Sequence, residues 1–180
     1  MGLRKSLSNS MHRGLIVKNL VQNGDFSDGT NGWTIAGMGS LSVENDTLKI
    51  LVSAQNSYSR QIVQAIIGNK YYGCLKLKST SNLVRFTMGN SIYHSGSGSY
   101  EKLSVIYSTT TTNLTIAVVD TRVSGWDYFY QDDVLVIDLT ATFGAGNEPT
   151  KEQCDIIFSQ WFDGTISIQQ TLSANSPLRN

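Results

Sequence analysis

The chain has 180 residues, with 14 Lys+Arg balancing 14 Asp+Glu, a length that suits one domain with its own core. Only 16% of the residues are charged, while 22 Ser, 16 Thr, 13 Asn and 16 Gly stand against 2 Pro, so uncharged polar groups do the solvating and turns are plentiful. No apolar run approaches the roughly 20 residues of a membrane span, no signal-peptide pattern is visible, and the even charge balance leaves no footprint for nucleic acid.

The zero net charge is composite. Residues 1–18 carry Arg4, Lys5, Arg13 and Lys18 and no acid, so residues 19–180 hold 10 basic and 14 acidic groups, a net of −4. The first dozen residues have no periodicity and no turn chemistry, and they are expected to form a flexible basic arm. Such an arm on an acidic body suits a segment ordered by a partner, for instance a neighbouring subunit, or a terminus without a role.

Next come turn signals at Asn23-Gly24, Asp28-Gly29 and Asn31-Gly32, then strands marked by alternation of apolar and polar residues. Thr47–Val52 sets Leu48, Ile50 and Val52 on one face. After Gly68-Asn69, Tyr71–Lys78 sets Tyr71, Gly73, Leu75 and Leu77 against Tyr72, Cys74, Lys76 and Lys78. The Ser95–Ser99 loop precedes Tyr100–Tyr107. Leu114–Val119 and Gln131–Leu139 complete the series. Short strands without intervening helices predict an all-β antiparallel sandwich or jelly roll. A single helix is expected over 150–162, with a capping box from Thr150 to Gln153 and an apolar face of Cys154, Ile157, Phe158, Trp161 and Phe162 packed on the sandwich. An edge strand within Thr165–Leu172 and a polar tail over 173–180 close the chain. Cys74 and Cys154, 80 positions apart, read as small buried hydrophobes and not as a metal or redox pair.

The order of the pieces resembles the jelly-roll carbohydrate-binding modules of the galactose-binding-like group. Asn19–Trp33 (NLVQNGDFSDGTNGW) looks like that family's opening, Gly68–Lys78 (GNKYYGCLKLK) is similar to its Gly-x-x-Tyr…Lys strand, and Tyr100–Tyr107 stands where its Trp-x-Lys strand lies, with Tyr100 in place of Trp. Asp132-Asp133-Val134 matches its final strand. The resemblance covers roughly residues 19–140. Asp138–Thr150 (DLTATFGAGNEPT) resembles a module end that recurs in tail, baseplate and other surface proteins of phages and prophages of Gram-positive bacteria.

The resemblance implies a carbohydrate-binding-like sandwich over 19–172 on the surface of a virion, attached through the arm to other virion proteins (capsid, neck or tail) and adhering to host-surface glycans. The alternative is a purely structural decoration, collar or fibre-base component that binds no glycan. Self-association stays open. The resemblance also implies a structural calcium with Asp25 and Asp133 as side-chain ligands. Ser27 occupies a position where the family often has Glu, and Asp28 lies nearby. The bland reading makes these residues turn formers and a strand-edge pair.

A sugar site needs aromatic planes for ring faces and polar groups for hydroxyls. The candidates are Tyr58, Tyr93, Trp126, Tyr128 and Asn90, with Asn56 and Arg60 close by, and Trp126 is the expected stacking platform. Trp33 and Trp161 are expected in the core. No catalytic residue is expected. His94 lacks a nucleophile motif, and Asp132 and Asp133, adjacent on a strand, are expected on opposite faces, a poor acid–base pair.

Overall fold

The computed structural model describes residues 16–159 and 165–167. The chain folds as an antiparallel jelly-roll sandwich. Its strands are β1 (Ile16–Lys18), β2 (Thr34–Ala36), β3 (Gly39–Glu44), β4 (Thr47–Val52), β5 (Ser57–Gln64), β6 (Lys70–Lys78), β7 (Val84–Met88), β8 (Asn90–Tyr93), β9 (Tyr100–Ser108), β10 (Asn113–Asp120), β11 (Tyr128–Asp138) and β12 (Thr165–Ser167). The first sheet runs β2-β5-β10-β7-β8 and the second β3-β4-β11-β6-β9, while β1 pairs with β12.

The main core lies between the sheets. Leu48 and Ile50 of β4, Leu75 and Leu77 of β6, Phe86 and Met88 of β7, Ile116 and Val118 of β10 and Phe129 of β11 meet there, all essentially without solvent contact. The second sheet is also covered on its other face. Tyr72, Cys74, Leu135 and Ile137 pack there against Val17, Leu139, Cys154 and Phe158. The middle of β6 (71–75) and the end of β11 (134–137) are therefore buried on both sides.

Two helices follow β11. Helix α1 (Leu139–Phe143) begins where the alternation of β11 was expected to continue, and the Asp138 carboxylate caps it by accepting from the Ala141 N–H. Helix α2 (Lys151–Ile157) carries the expected capping box between Thr150 and Gln153. It is shorter than the predicted 150–162, since Phe158 is its C-cap; Trp161 and Phe162 lie outside the described residues. The expected helix is therefore present in shortened form as α2, and α1 is an additional short helix that the sequence reading did not place. Ile16–Lys18, assigned from sequence to the basic arm, instead form β1, and Val17 is fully buried. Arg4, Lys5, Arg13 and the tail over 173–180 lie outside the described residues.

The opening loop explains its own motif. The Asn23 side chain donates to the carbonyls of Gly29 and Asn31 and accepts from the Asp28 N–H. Trp33, buried as expected, donates its indole N–H to the Asn23 carbonyl and packs 5.5 Å from the Phe26 ring. Asn19 ties the loop to β11 through the Val134 carbonyl and the Val136 N–H, both at 2.9 Å. A side chain at Gly24 would run into the Val134 carbonyl, so only glycine allows this approach.

Candidate functional site

The outer face of the first sheet follows from the alternation of β5. Ser57, Ser59, Gln61 and Val63 are buried, which turns Tyr58, Arg60, Ile62 and Gln64 outward. The register across the sheet aligns Ala36, Tyr58, Val119, Arg85 and Tyr93 in one row, and Thr34, Arg60, Ala117, Thr87 and Ser91 in the next. Two tyrosines therefore stand about 14 Å apart at their Cα atoms, three strand spacings of roughly 4.8 Å. Between them in the row stand Val119 on β10, nearly covered by its neighbours, and Arg85 on β7.

Each tyrosine carries an arginine. The Arg60 guanidinium lies 5.9 Å from the Tyr58 ring centroid and that of Arg85 lies 5.7 Å from the Tyr93 centroid. Arg85 Nη1 also donates to Tyr93 Oη at 3.3 Å, while its Nε is buried without a partner. Tyr93 is 49% exposed, so its ring is presented to solvent.

Beside this face lies a cleft of about 620 Å³ lined by Leu20, Gln22, Thr34, Arg60, Ile62 and Gln64, among others. It exists because β2 stops at Thr34, which leaves Gln61–Gln64 of β5 without a strand neighbour on that side. The Gln61 amide bridges the gap from below, accepting from the Gln22 N–H at 2.8 Å and donating to the Gln22 carbonyl at 3.0 Å. The cleft opens onto the face at Arg60, and its lining presents hydroxyl, amide and guanidinium groups.

The structure therefore divides the predicted sugar contacts among several places. Tyr58 and Tyr93 share the first-sheet face. Asn90, at the start of β8, donates to the Ile106 carbonyl at 2.8 Å and ties that edge to β9. Asn56 sits in a left-handed turn before β5. Trp126, 38% exposed, lies in the loop between β10 and β11 and donates to the Arg122 carbonyl. Tyr128 is on the outer face of the second sheet, with the Lys49 ammonium 4.2 Å from its centroid. Arg85 was absent from the sequence-based set, although the alternation of Val84, Phe86 and Met88 around it marks a strand.

The calcium candidates also come together in part. The opening loop reaches β11 through the Val134 N–H, which donates to the Gly24 carbonyl at 2.9 Å. Contrary to expectation, Asp132 and Asp133 are not on opposite faces: the register shifts between Asp132 and Leu135, and Asp133 adopts a left-handed φ of 54°. This bulge directs Asp133 to Lys76, 2.5 Å away. Burial, then the neighbouring Asp133, pushes the Asp132 carboxyl up to about 6, and Asp25 adds to the rise. Asp25 itself accepts from the N–H and hydroxyl of Ser27, and with Asp28 it lines a polar cleft of about 480 Å³. These oxygens suit a hard cation. However, Asp133 is held by Lys76, and no group of three or more acidic, His or Cys side chains among the described residues is arranged around a metal position.

The remaining polar clusters are structural. His94 is buried; its Nδ1 accepts from the Gly96 N–H at 2.8 Å and its Nε2 lies 3.0 Å from the Ser99 carbonyl. Glu101, held down to about 2 chiefly by the Ser95 hydroxyl, also bonds to Ser97 and organises the same loop. Asp132 and Asp133 line neither of the two clefts.

No protein-family profile matches the sequence, and no curated protein does. Among solved structures the chain is similar to a CBM4 carbohydrate-binding module, with a TM-score of 0.53, 14% identity and coverage of 65% of this chain and 98% of that one. It is similar to the CBM1 module of BiXyn10A in its apo form, at 0.52, 10%, 67% and 98%. A family 16 carbohydrate-binding module gives 0.50, 15%, 66% and 99%. The shared feature is the jelly-roll fold, and these neighbours are modules rather than catalytic domains.

Proposed function

We propose that this chain is a non-catalytic glycan-binding module and that the outer face of its first sheet is the binding surface. The observation that carries the reading is the row that holds Tyr58 and Tyr93 on one face with Val119 and Arg85 between them. Aromatic planes accept the apolar faces of sugar rings, while Arg60, Arg85, Thr34 and Gln64 supply donors for ring and hydroxyl oxygens. The likeness to carbohydrate-binding modules supports the reading through the fold.

The test is retention on a panel of immobilised polysaccharides and purified bacterial cell wall. Tyr58→Ala and Tyr93→Ala each lower affinity by about tenfold, as loss of a stacking platform does, while Trp126→Ala leaves it unchanged. Wild-type protein that is retained by no glycan when displayed in many copies overturns the reading and favours the purely structural role.

The setting follows from the sequence resemblance. We place the chain on a virion surface, attached through its basic N-terminal residues to other virion proteins and adhering to host-surface glycans. A structural calcium at Asp25 and Asp133 is a separate proposal. There, Asp133 would exchange Lys76 for the cation, and Asp132 would lose the repulsion it now feels. Binding would raise the melting midpoint in calcium over that in chelator; an unchanged midpoint removes the site.

A further inference from the structure

The charges on this face differ from most of those elsewhere in the described residues. Lys49, Lys70, Lys76, Lys102, Arg122 and Lys151 each lie against a carboxylate. Among the described residues Arg60 and Arg85 do not, nor does Lys78, which lies against Tyr100 and Tyr130 of the second sheet; the two arginines project together from the outer face of the first sheet. The outward positions of its strands contain no Asp or Glu: they are Thr34 and Ala36 on β2, Tyr58 to Gln64 on β5, Thr115 to Val119 on β10, Arg85 and Thr87 on β7, and Ser91 and Tyr93 on β8. Asp120, at the end of β10, is fully buried and engaged by Arg122. A body of net charge −4 therefore carries one acid-free face with two arginines.

The arginines are also prepared for a ligand. Stacking against Tyr58 and Tyr93 restrains their side chains, and since Arg85 Nε is buried, its outer Nη donors are the ones a ligand would meet. A planar guanidinium offers paired donors that match carboxylate or phosphate oxygens. From the register, the two residues lie diagonally across β10, two strand spacings and two residues apart, or about 12 Å between Cα atoms. A neutral polysaccharide would leave both charges uncompensated as it covered them.

Building on the glycan-binding reading, we propose that the ligand of this face is an acidic polysaccharide, whose anionic groups are taken by Arg60 and Arg85 while its sugar rings lie against Tyr58 and Tyr93. The anion is a carboxylate on the sugar or a phosphate in the chain, and the probes distinguish these sources.

The full chain is titrated with polygalacturonate, alginate and a poly(glycerol phosphate) polymer, alongside methyl-esterified polygalacturonate and the neutral probes xylohexaose and cellohexaose. At least one charged probe binds, esterification of polygalacturonate abolishes any binding to that polymer, and added salt weakens the interaction. Arg60→Gln and Arg85→Gln each lose about tenfold to a hundredfold in affinity, as expected for bonds to a charged group. Arg85→Lys recovers part of that loss by restoring charge without the fork. Equal or better binding of the neutral probes, with Tyr58→Ala deleterious and Arg→Gln silent, overturns the acidic specificity and leaves the glycan-binding reading standing. Binding of no probe at all overturns the acidic specificity, and the glycan-binding reading falls with it only if the polysaccharide and cell-wall panel also retains nothing. Unchanged melting of the arginine variants confirms that they are folded; both side chains are half-buried on the outer face of the sheet, outside the core.

Discussion

Arg122 holds together the most polar part of the buried structure. Its Nε and Nη2 donate to the Asp120 carboxylate, which has no solvent contact, and its Nη1 and Nη2 also reach the carbonyls of Gly125 and Asp127. Replacing it leaves a buried carboxylate unpaired and releases the loop bearing Trp126. Arg122→Ala is expected to cost about 3–5 kcal/mol in urea unfolding; a loss below about 1 kcal/mol would show that water substitutes for the guanidinium. At this scale the candidate site was half legible. Tyr58 and Tyr93 stood out as aromatics in polar surroundings. Arg85 did not, because an arginine says nothing of its neighbours until cross-strand register places it beside Tyr93.

The legibility of the strands depended on what each turned inward. β4, β6, β9 and β10 show clean alternation, and their observed bounds fall within a residue or so of those expected. β5 escaped because its buried positions are Ser57, Ser59 and Gln61, while Tyr58 and Ile62 face outward, an inversion of the usual pattern. Those inward polar groups are accommodated individually: the Ser59 hydroxyl donates to Gln131 Oε1 at 2.7 Å between the sheets, and Gln61 clamps the opening loop. The bulge in β11 was also invisible, since only the mismatch with β6 reveals it. It has a titration signature. Asp132 rises to about 6 in the folded chain, against an ordinary value of 3.8. Between those values the folded state binds more protons than the unfolded state, so this group's contribution to stability falls as pH rises from about 4 to 6. Asp132→Asn should flatten that part of the profile and raise the melting temperature at pH 7. An unaltered slope would mean that the carboxyl is better solvated than its surroundings indicate.

For the whole molecule, the two sheets are unequal. The second sheet is covered on its outer face at Tyr72, Cys74, Leu135 and Ile137 by the layer of Val17, Leu139, Cys154 and Phe158, while Tyr100 and Tyr128 elsewhere on that sheet stay exposed; the first sheet is packed on one face. Burial pushes the thiols of Cys74 and Cys154 up to about 11 and about 12, so both are inert spacers in that outer layer. The basic segment is shorter than its charge pattern indicated, because β1 contributes Val17 to this layer. Deleting residues 2–15, and not 2–18, is therefore the way to test virion attachment: incorporation into particles should be lost while melting is retained. Full incorporation of the shortened chain would remove the attachment role.

The pairing of β1 with β12 has a geometric consequence for any tether. β1 lies over the back of the second sheet, where Val17 is buried, and β12 is paired beside it, so both strands lie on one side of the body. The Tyr58–Tyr93 row occupies the opposite side, beyond two sheets stacked roughly 10 Å apart. A tether that continued from β1 or β12 on that side would leave the row facing the surrounding medium.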